Sequence, residues 1–120
     1  MIVFDVTAGR LSIAGNDIGP AYSGAPGYVD NEADAGLVGR GPIPAGLWVI
    51  GSPIDDAHTG PFSMPLTPVA GTDTMGRSEF MIHGDNMAMN ESASHGCIIA
   101  ARAIRERIWA DSDHMITVVA

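Results

Sequence analysis

The stretch SASHGCIIAARAIRERI, residues 92–108, joins a polar segment to a short apolar run and then to a helical pattern. It holds the single cysteine of the chain, Cys97, directly after Gly96. From residue 100 to residue 110 the apolar positions recur with the period of a helix, which predicts one amphipathic helix behind the cysteine. The predicted buried face carries Ala101, Ile104 and Ile108, and the predicted outward face carries Arg102, Arg105 and Glu106.

Short apolar segments elsewhere predict strands. Residues 2–6 and 11–14 flank a turn-forming segment, which favours a hairpin at the start of the chain. Three further segments are β-prone, namely residues 47–52, 79–83 and 115–119. The pattern as a whole indicates a mainly β fold with one helix after the cysteine.

Proline and glycine mark the less regular parts of the chain. Residues 61–69 are β-prone, but their prolines predict an edge strand or an irregular stretch, because proline cannot donate a ladder hydrogen bond. Glycine, proline, asparagine and aspartate recur through residues 22–46, which predicts surface loops.

Length and charge limit the classes of function. The 120 residues are enough for one domain, predicted to span 1–120, and the net charge is −8 with six arginines as the only cations. Nucleic acid and anionic membranes are therefore not expected partners. No apolar run is long enough to predict membrane insertion. The first residues lack the pattern of a secretory signal, so we expect synthesis in the cytoplasm without a signal peptide.

Cys97 is either a buried apolar side chain or a nucleophile. A cysteine nucleophile needs a base to form thiolate near neutral pH, because an unperturbed thiol has a pKa of about 8.5. His95 lies two residues before it, and His83 ends an apolar segment next to Gly84. Both histidines are candidate bases, and Gly96 would let backbone N–H groups approach a reacting carbonyl.

An upstream histidine followed by Ser-His-Gly-Cys resembles the signature of the L,D-transpeptidase (YkuD-like) catalytic domain, which acts on peptidoglycan stem peptides. The likeness extends to the compact branch of that fold found in type VI secretion effectors. The segments that carry it are AYSGAPG (21–27), Asn31, GPIPAGLW (41–48), GRSEFMIHGD (76–85), SHGCIIAARAIRERI (94–108) and the closing ITVV. The resemblance implies an L,D-transpeptidase-like β-sandwich or barrel with one helix after the catalytic cysteine.

The resemblance also implies roles for individual residues. Cys97 would be the nucleophile and His83 its general base, with Ser94, His95 and Gly96 shaping the site. Asp85 would either orient His83 as a third member of a triad or cap the local backbone. No cofactor is needed for acyl transfer to a thiol.

The substrate-binding wall departs from the family pattern. The cell-wall enzymes commonly carry arginine two positions after the cysteine, where this chain has Ile99. A carboxylate-binding arginine would then come from elsewhere, and the candidates are Arg77, Arg102 and Arg105. The last two could equally be solvated helix cations. Tyr22, in the AYSGAPG segment, is a further substrate-binding candidate.

The implied reaction is acyl transfer on the tetrapeptide stems of peptidoglycan, with release of the terminal D-alanine. Water as acceptor gives L,D-carboxypeptidase activity, and a D-amino acid or stem amine gives exchange or cross-linking. Because the substrate lies outside the cytoplasmic membrane, the resemblance implies secretion into the periplasm of a target bacterium, a secretion apparatus and an immunity protein. A prophage-encoded wall enzyme is the alternative context.

Two rival functions remain at this stage. His83, Asp85, His95 and Cys97 could together hold zinc, which would indicate a metallohydrolase or a structural metal site. The chain could also be a non-catalytic wall-binding module that retains an inactive site. Metal analysis separates the first alternative from a thiol enzyme, and indifference to Cys97→Ala would indicate the second.

Overall fold

The computed structural model describes residues 1–24, 41–57, 59–77, 80–84 and 97–120. Within these ranges the chain forms nine strands and one helix. The strands are β1 (Ile2–Asp5), β2 (Arg10–Ile13), β3 (Asn16–Ser23), β4 (Gly46–Ile50), β5 (Ile54–Asp56), β6 (Gly60–Pro68), β7 (Met81–His83), β8 (Ile98–Ala100) and β9 (Met115–Val119). The helix, α1, is Arg102–Ala110.

Eight of these strands close into a barrel. The strand order is β4-β9-β1-β2-β3-β8-β7-β6-β5, and β4 also pairs with β6. That pairing joins the two ends of the row and leaves β5 as an addition to β6. The β1–β9 and β7–β8 pairs are parallel, and the other pairs are antiparallel. The structure thus confirms the predicted mainly β fold with one helix after the cysteine.

The barrel is filled by apolar side chains from alternate strand positions. Trp48 and Phe80 meet edge to face with ring centroids 4.9 Å apart. Phe4 and Ile82 are fully buried in the same core, and Ile108 brings the helix onto it. Burying such side chains contributes roughly 1.5–3 kcal/mol each, so the core supplies most of the driving force for folding.

Several sequence predictions are confirmed element by element. The opening hairpin is β1 and β2, paired in register from Ile2 with Ile13 to Asp5 with Arg10. Residues 47–52 and 115–119 contribute β4 and β9, which pair with each other. The predicted strand at 79–83 is shorter, since β7 begins at Met81.

The prolines of residues 61–69 do not place β6 at an edge. This strand pairs with β7 on one side and with β5 and β4 on the other. The irregularity that was predicted is present, since Phe62 has a positive φ of 56°. Pro65 lies within this strand, and its carbonyl accepts a hydrogen bond from the Gly51 N–H at 2.8 Å.

The prediction of surface loops over residues 22–46 is wrong at both described ends. Tyr22 and Ser23 belong to β3, and residues 41–44 are buried. Their polar backbone groups find partners there, since the Ile43 N–H donates to Ser23 Oγ at 2.8 Å and the Pro44 carbonyl accepts from Trp48 Nε1 at 3.3 Å. Residues 25–40 lie outside the described part of the chain.

The predicted outward position of Arg105 is also wrong. It was predicted on the outward face of the helix, yet it is only 6 % exposed. Its guanidinium reaches backbone carbonyl oxygens, which satisfy a buried cation in place of water.

In the described residues no helix has the length and apolar character needed to cross a bilayer.

Candidate active site

Strands β7 and β8 bring His83 and Cys97 to the same face of the sheet. The two strands are parallel, with Ile82 opposite Ile98 and His83 opposite Ile99. Because side chains alternate along a strand, Ile82 and Ile98 enter the core while His83 and Ile99 face away from it. Cys97 precedes β8 by one residue and therefore shares the face of Ile99 and His83.

The imidazole of His83 is held in one tautomer. Its Nδ1 lies 2.8 Å from the carbonyl oxygen of Gly84. A carbonyl oxygen can only accept, so Nδ1 carries the proton and Nε2 is the basic nitrogen of the neutral ring. The ring is 4 % exposed. A neutral histidine in this tautomer can accept a proton at Nε2.

The Cys97 thiol is half-buried, and its surroundings act on its pKa in opposite directions. Burial is the largest influence and raises the pKa; a hydrogen bond from the Met81 backbone and the positive charge of Arg77 lower it, whereas the charge of Asp56 raises it. The net pKa lies above the ordinary thiol value. At neutral pH the thiol therefore needs a base to become a nucleophile.

Arg77 is hydrogen-bonded to the buried segment at residues 41–44, and its charge acts on the Cys97 thiol. Its Nη1 and Nη2 donate to the carbonyl oxygens of Pro42 and Gly41 at 2.7 and 3.0 Å, and its Cζ lies 5.1 Å from the centre of the Phe80 ring. Burial lowers the pKa of Arg77, but an arginine stays charged at neutral pH. The guanidinium thus supplies a fixed positive charge near the sulfur.

The hairpin of β5 and β6 adds polar groups that the sequence analysis missed. Asp56 accepts a hydrogen bond from the Thr59 N–H at 3.0 Å. The Thr59 hydroxyl lies 2.7 Å from that of Ser63 and 3.9 Å from the sulfur of Met81, whose backbone bonds the thiol. No sequence motif marks Asp56, because its proximity to Cys97 arises only from the successive pairing of four strands, β5 to β8.

The other predicted substrate-binding residues differ in position. Tyr22 lies opposite Ile99 in the β3–β8 pair, so it is on the face of His83. Arg102 is exposed, donates to Glu106 Oε2 at 3.2 Å, and lies over the Phe62 ring at 4.7 Å. Tyr22 thus belongs to the face that carries the thiol, whereas Arg102 has the partners of a surface helix cation.

Four predicted site residues, Asp85, Ser94, His95 and Gly96, lie outside the described residues. The roles given to them remain predictions, and so does the zinc alternative, which needs two of them. Among the residues that are described, no group of three or more His, Cys, Asp or Glu side chains could hold a metal ion.

Comparison with solved structures identifies the class of the barrel. It is similar to the structure of Bd1075 from Bdellovibrio bacteriovorus, with TM-score 0.63, 13 % identity and coverage of 98 % of this chain and 46 % of that one. It is also similar to an L,D-transpeptidase (residues 123–326) from Xylanimonas cellulosilytica, with TM-score 0.53, 18 % identity and coverage of 98 % and 58 %. The chain thus spans about half the length of these structures. No curated protein sequence matches it.

The fold is therefore that of an L,D-transpeptidase-like domain. The sequence matches the Tlde1 domain over residues 18–119, and the chain belongs to this family of type VI effectors. Membership agrees with the predicted resemblance to type VI secretion effectors.

Proposed function

We propose that the chain is a cysteine-dependent acyl transferase that removes or exchanges the terminal D-alanine of peptidoglycan tetrapeptide stems. The observation that carries the proposal is the parallel pairing of β7 with β8, which puts His83 and Cys97 on one face. The Gly84 carbonyl supports it further, since it directs the basic Nε2 of His83 away from its own backbone.

The proposed first step is attack on the substrate. Nε2 of His83 takes the thiol proton, and the sulfur of Cys97 attacks the carbonyl carbon of the third stem residue. Backbone N–H groups around Cys97 stabilise the resulting oxyanion. The carbonyl reforms as the bond to D-alanine breaks, and the imidazolium returns its proton to the departing amine. A thioester on Cys97 remains.

The acceptor decides the product. Water hydrolyses the thioester and gives the tripeptide, which is L,D-carboxypeptidase activity. A D-amino acid or a neighbouring stem amine takes the acyl group and gives exchange or cross-linking. In each case His83 removes a proton from the acceptor, and the thiol is regenerated.

The Tlde1 family supports a biological context for this chemistry. We propose that the protein is an antibacterial toxin carried by a type VI secretion apparatus and acting in the periplasm of the target bacterium. An immunity protein in the producing cell would then protect its own wall.

The test is product analysis with purified disaccharide tetrapeptide, with and without a D-amino acid. The wild type should release D-alanine, and Cys97→Ala and His83→Gln should each lower the rate by at least about a hundredfold. His114→Gln is the matched control, because His114 stacks on Trp109 away from the site. Turnover by Cys97→Ala, or turnover abolished by a chelator and restored by zinc, would contradict the proposal.

A further inference from the structure

Arg105 is a buried cation whose partners are backbone carbonyls. Its Nε donates to the Ala100 oxygen at 3.0 Å, and its Nη1 donates to the Pro61 and Phe62 oxygens at 2.9 and 2.8 Å. Among the described residues it forms no salt bridge with a carboxylate. The guanidinium therefore connects the end of β8 to the start of β6 from its position on α1.

The remaining nitrogen of Arg105, Nη2, lies against Gly84, the residue that follows His83. A Cβ added to Gly84 would come within 2.8 Å of Nη2, and within 3.3 Å of Cζ. The guanidinium is thus packed directly on Gly84, whose carbonyl fixes the tautomer of His83. A side chain at position 84 would therefore force the guanidinium to shift.

The part of β6 that Arg105 binds is itself irregular. Phe62 adopts a positive φ of 56°, which is a conformation that a bulky residue rarely takes. Its carbonyl accepts from Arg105, and its ring lies under the guanidinium of Arg102. The next residue, Ser63, is opposite His83 when the β6–β7 register is extended by one pair. Arg105 therefore contacts both the strand beside His83 and the residue that follows it.

We propose that Arg105 is a positioning residue that holds His83 in its productive tautomer and orientation, by packing on Gly84 and anchoring β6. The inference rests on the proposed function. It replaces the role of substrate-carboxylate ligand expected for Arg105, because Nε and Nη1 are already bonded to carbonyl oxygens. Arg105 acts through the Gly84 carbonyl and does not touch the substrate.

The test is a double-mutant cycle between Gly84→Ala and Arg105→Lys. Gly84 lies outside the left-handed region, so alanine meets the guanidinium but adds no backbone strain. We expect each variant to lower kcat by about tenfold while KM changes by less than about twofold. The double variant should lose little more than either single one, because lysine leaves the space that the added methyl needs. Arg107→Lys, an exposed arginine on the same helix, is the matched control.

A second readout does not depend on turnover. The ¹⁵N chemical shifts of the histidine rings, assigned with His83→Gln, report which nitrogen of His83 carries the proton. The wild type should show the Nδ1–H tautomer, and Gly84→Ala and Arg105→Lys should both show a mixture of tautomers. Urea unfolding identifies any variant that has lost its fold, and Gly84→Ala retains the test if Arg105→Lys is unstable.

Two outcomes would overturn the inference. One is an unchanged His83 tautomer and unchanged kcat in Gly84→Ala and Arg105→Lys. The other is additive losses in the cycle, which would mean that the two residues act separately. An inactive wild type with the predicted tautomer shift would instead contradict the proposed function and leave the positioning role intact.

Discussion

At the scale of single residues, the reactivity of Cys97 depends on burial, a hydrogen bond and two charges that shift its pKa in opposite directions. Burial and the carboxylate of Asp56 favour the neutral thiol, whereas Arg77 and the Met81 backbone favour the thiolate. The raised pKa means that the Cys97 thiol ionises at higher pH than an ordinary thiol, so its alkylation should accelerate with pH into the alkaline region. Since Cys97 is the only cysteine of the sequence, one thiol reports the whole profile.

The contribution of Asp56 can be measured on that profile. Asp56→Asn removes a negative charge but keeps an oxygen for the Thr59 N–H, so the thiol pKa should fall and the alkylation midpoint should move to lower pH. The control is Asp55→Asn at the neighbouring exposed position, which should leave the midpoint in place. Equal midpoints for the two variants would show that the sulfur does not sense Asp56.

The sequence indicated Cys97 and its candidate bases but not the residues around them. A thiol beside glycine and a histidine at the end of an apolar segment are local signals, and the family resemblance then favoured His83 over His95 as the base. The contacts of Asp56, Thr59 and Arg105 arise from strand and helix pairing across long stretches of chain. No local pattern predicts such contacts. The helical pattern predicts an outward Arg105 because arginine is a polar residue, and polar residues define the exposed face of an amphipathic helix.

At the scale of elements, the clarity of the apolar pattern decided which strands could be recognised. The opening hairpin, β4 and β9 carry enough apolar residues for a clear pattern. Strands β5 and β8 have three residues each, which is too short for alternation to be visible. Strand β8 is the element that places Cys97 beside β7, so the decisive pairing of the site could not be predicted from periodicity.

Gly46, the first residue of β4, has no room for a side chain. Gly46 has a φ of +144°, and a Cβ there would lie 2.4 Å from Cγ2 of Thr72, a residue whose hydroxyl bonds both the N–H and the carbonyl of Leu47. Gly46→Ala should therefore lower the free energy of unfolding by about 2–4 kcal/mol, measured in urea. Gly71→Ala is the control, because Gly71 also has a positive φ but open space around it. Equal losses in the two variants would contradict a steric role for Thr72.

At the scale of the whole molecule, barrel closure places the site on the outside of a filled core. The β4–β6 pairing completes the ring, and the core occupies its interior, so the proposed reaction takes place on the outer face of β7 and β8. The resemblance to L,D-transpeptidases predicted this architecture correctly, because the motif and its flanking segments follow the same order along the chain.

The proposed toxicity belongs to this scale. Fused to a cleavable export signal and expressed in a susceptible bacterium, the protein should stop growth and deplete tetrapeptide stems, because only exported protein meets the wall. Cys97→Ala with the same signal, and the wild type without it, should both permit normal growth. Equal toxicity of the unexported form would contradict action in the periplasm.

The most direct measurement is the mass of the acyl-enzyme. The protein is mixed with disaccharide tetrapeptide, quenched in acid within the first turnover, and analysed intact and after digestion. The account predicts an adduct of the substrate less D-alanine on the peptide containing Cys97, stable in acid and removed by hydroxylamine. D-alanine release without any adduct, or an adduct on another residue, would contradict it.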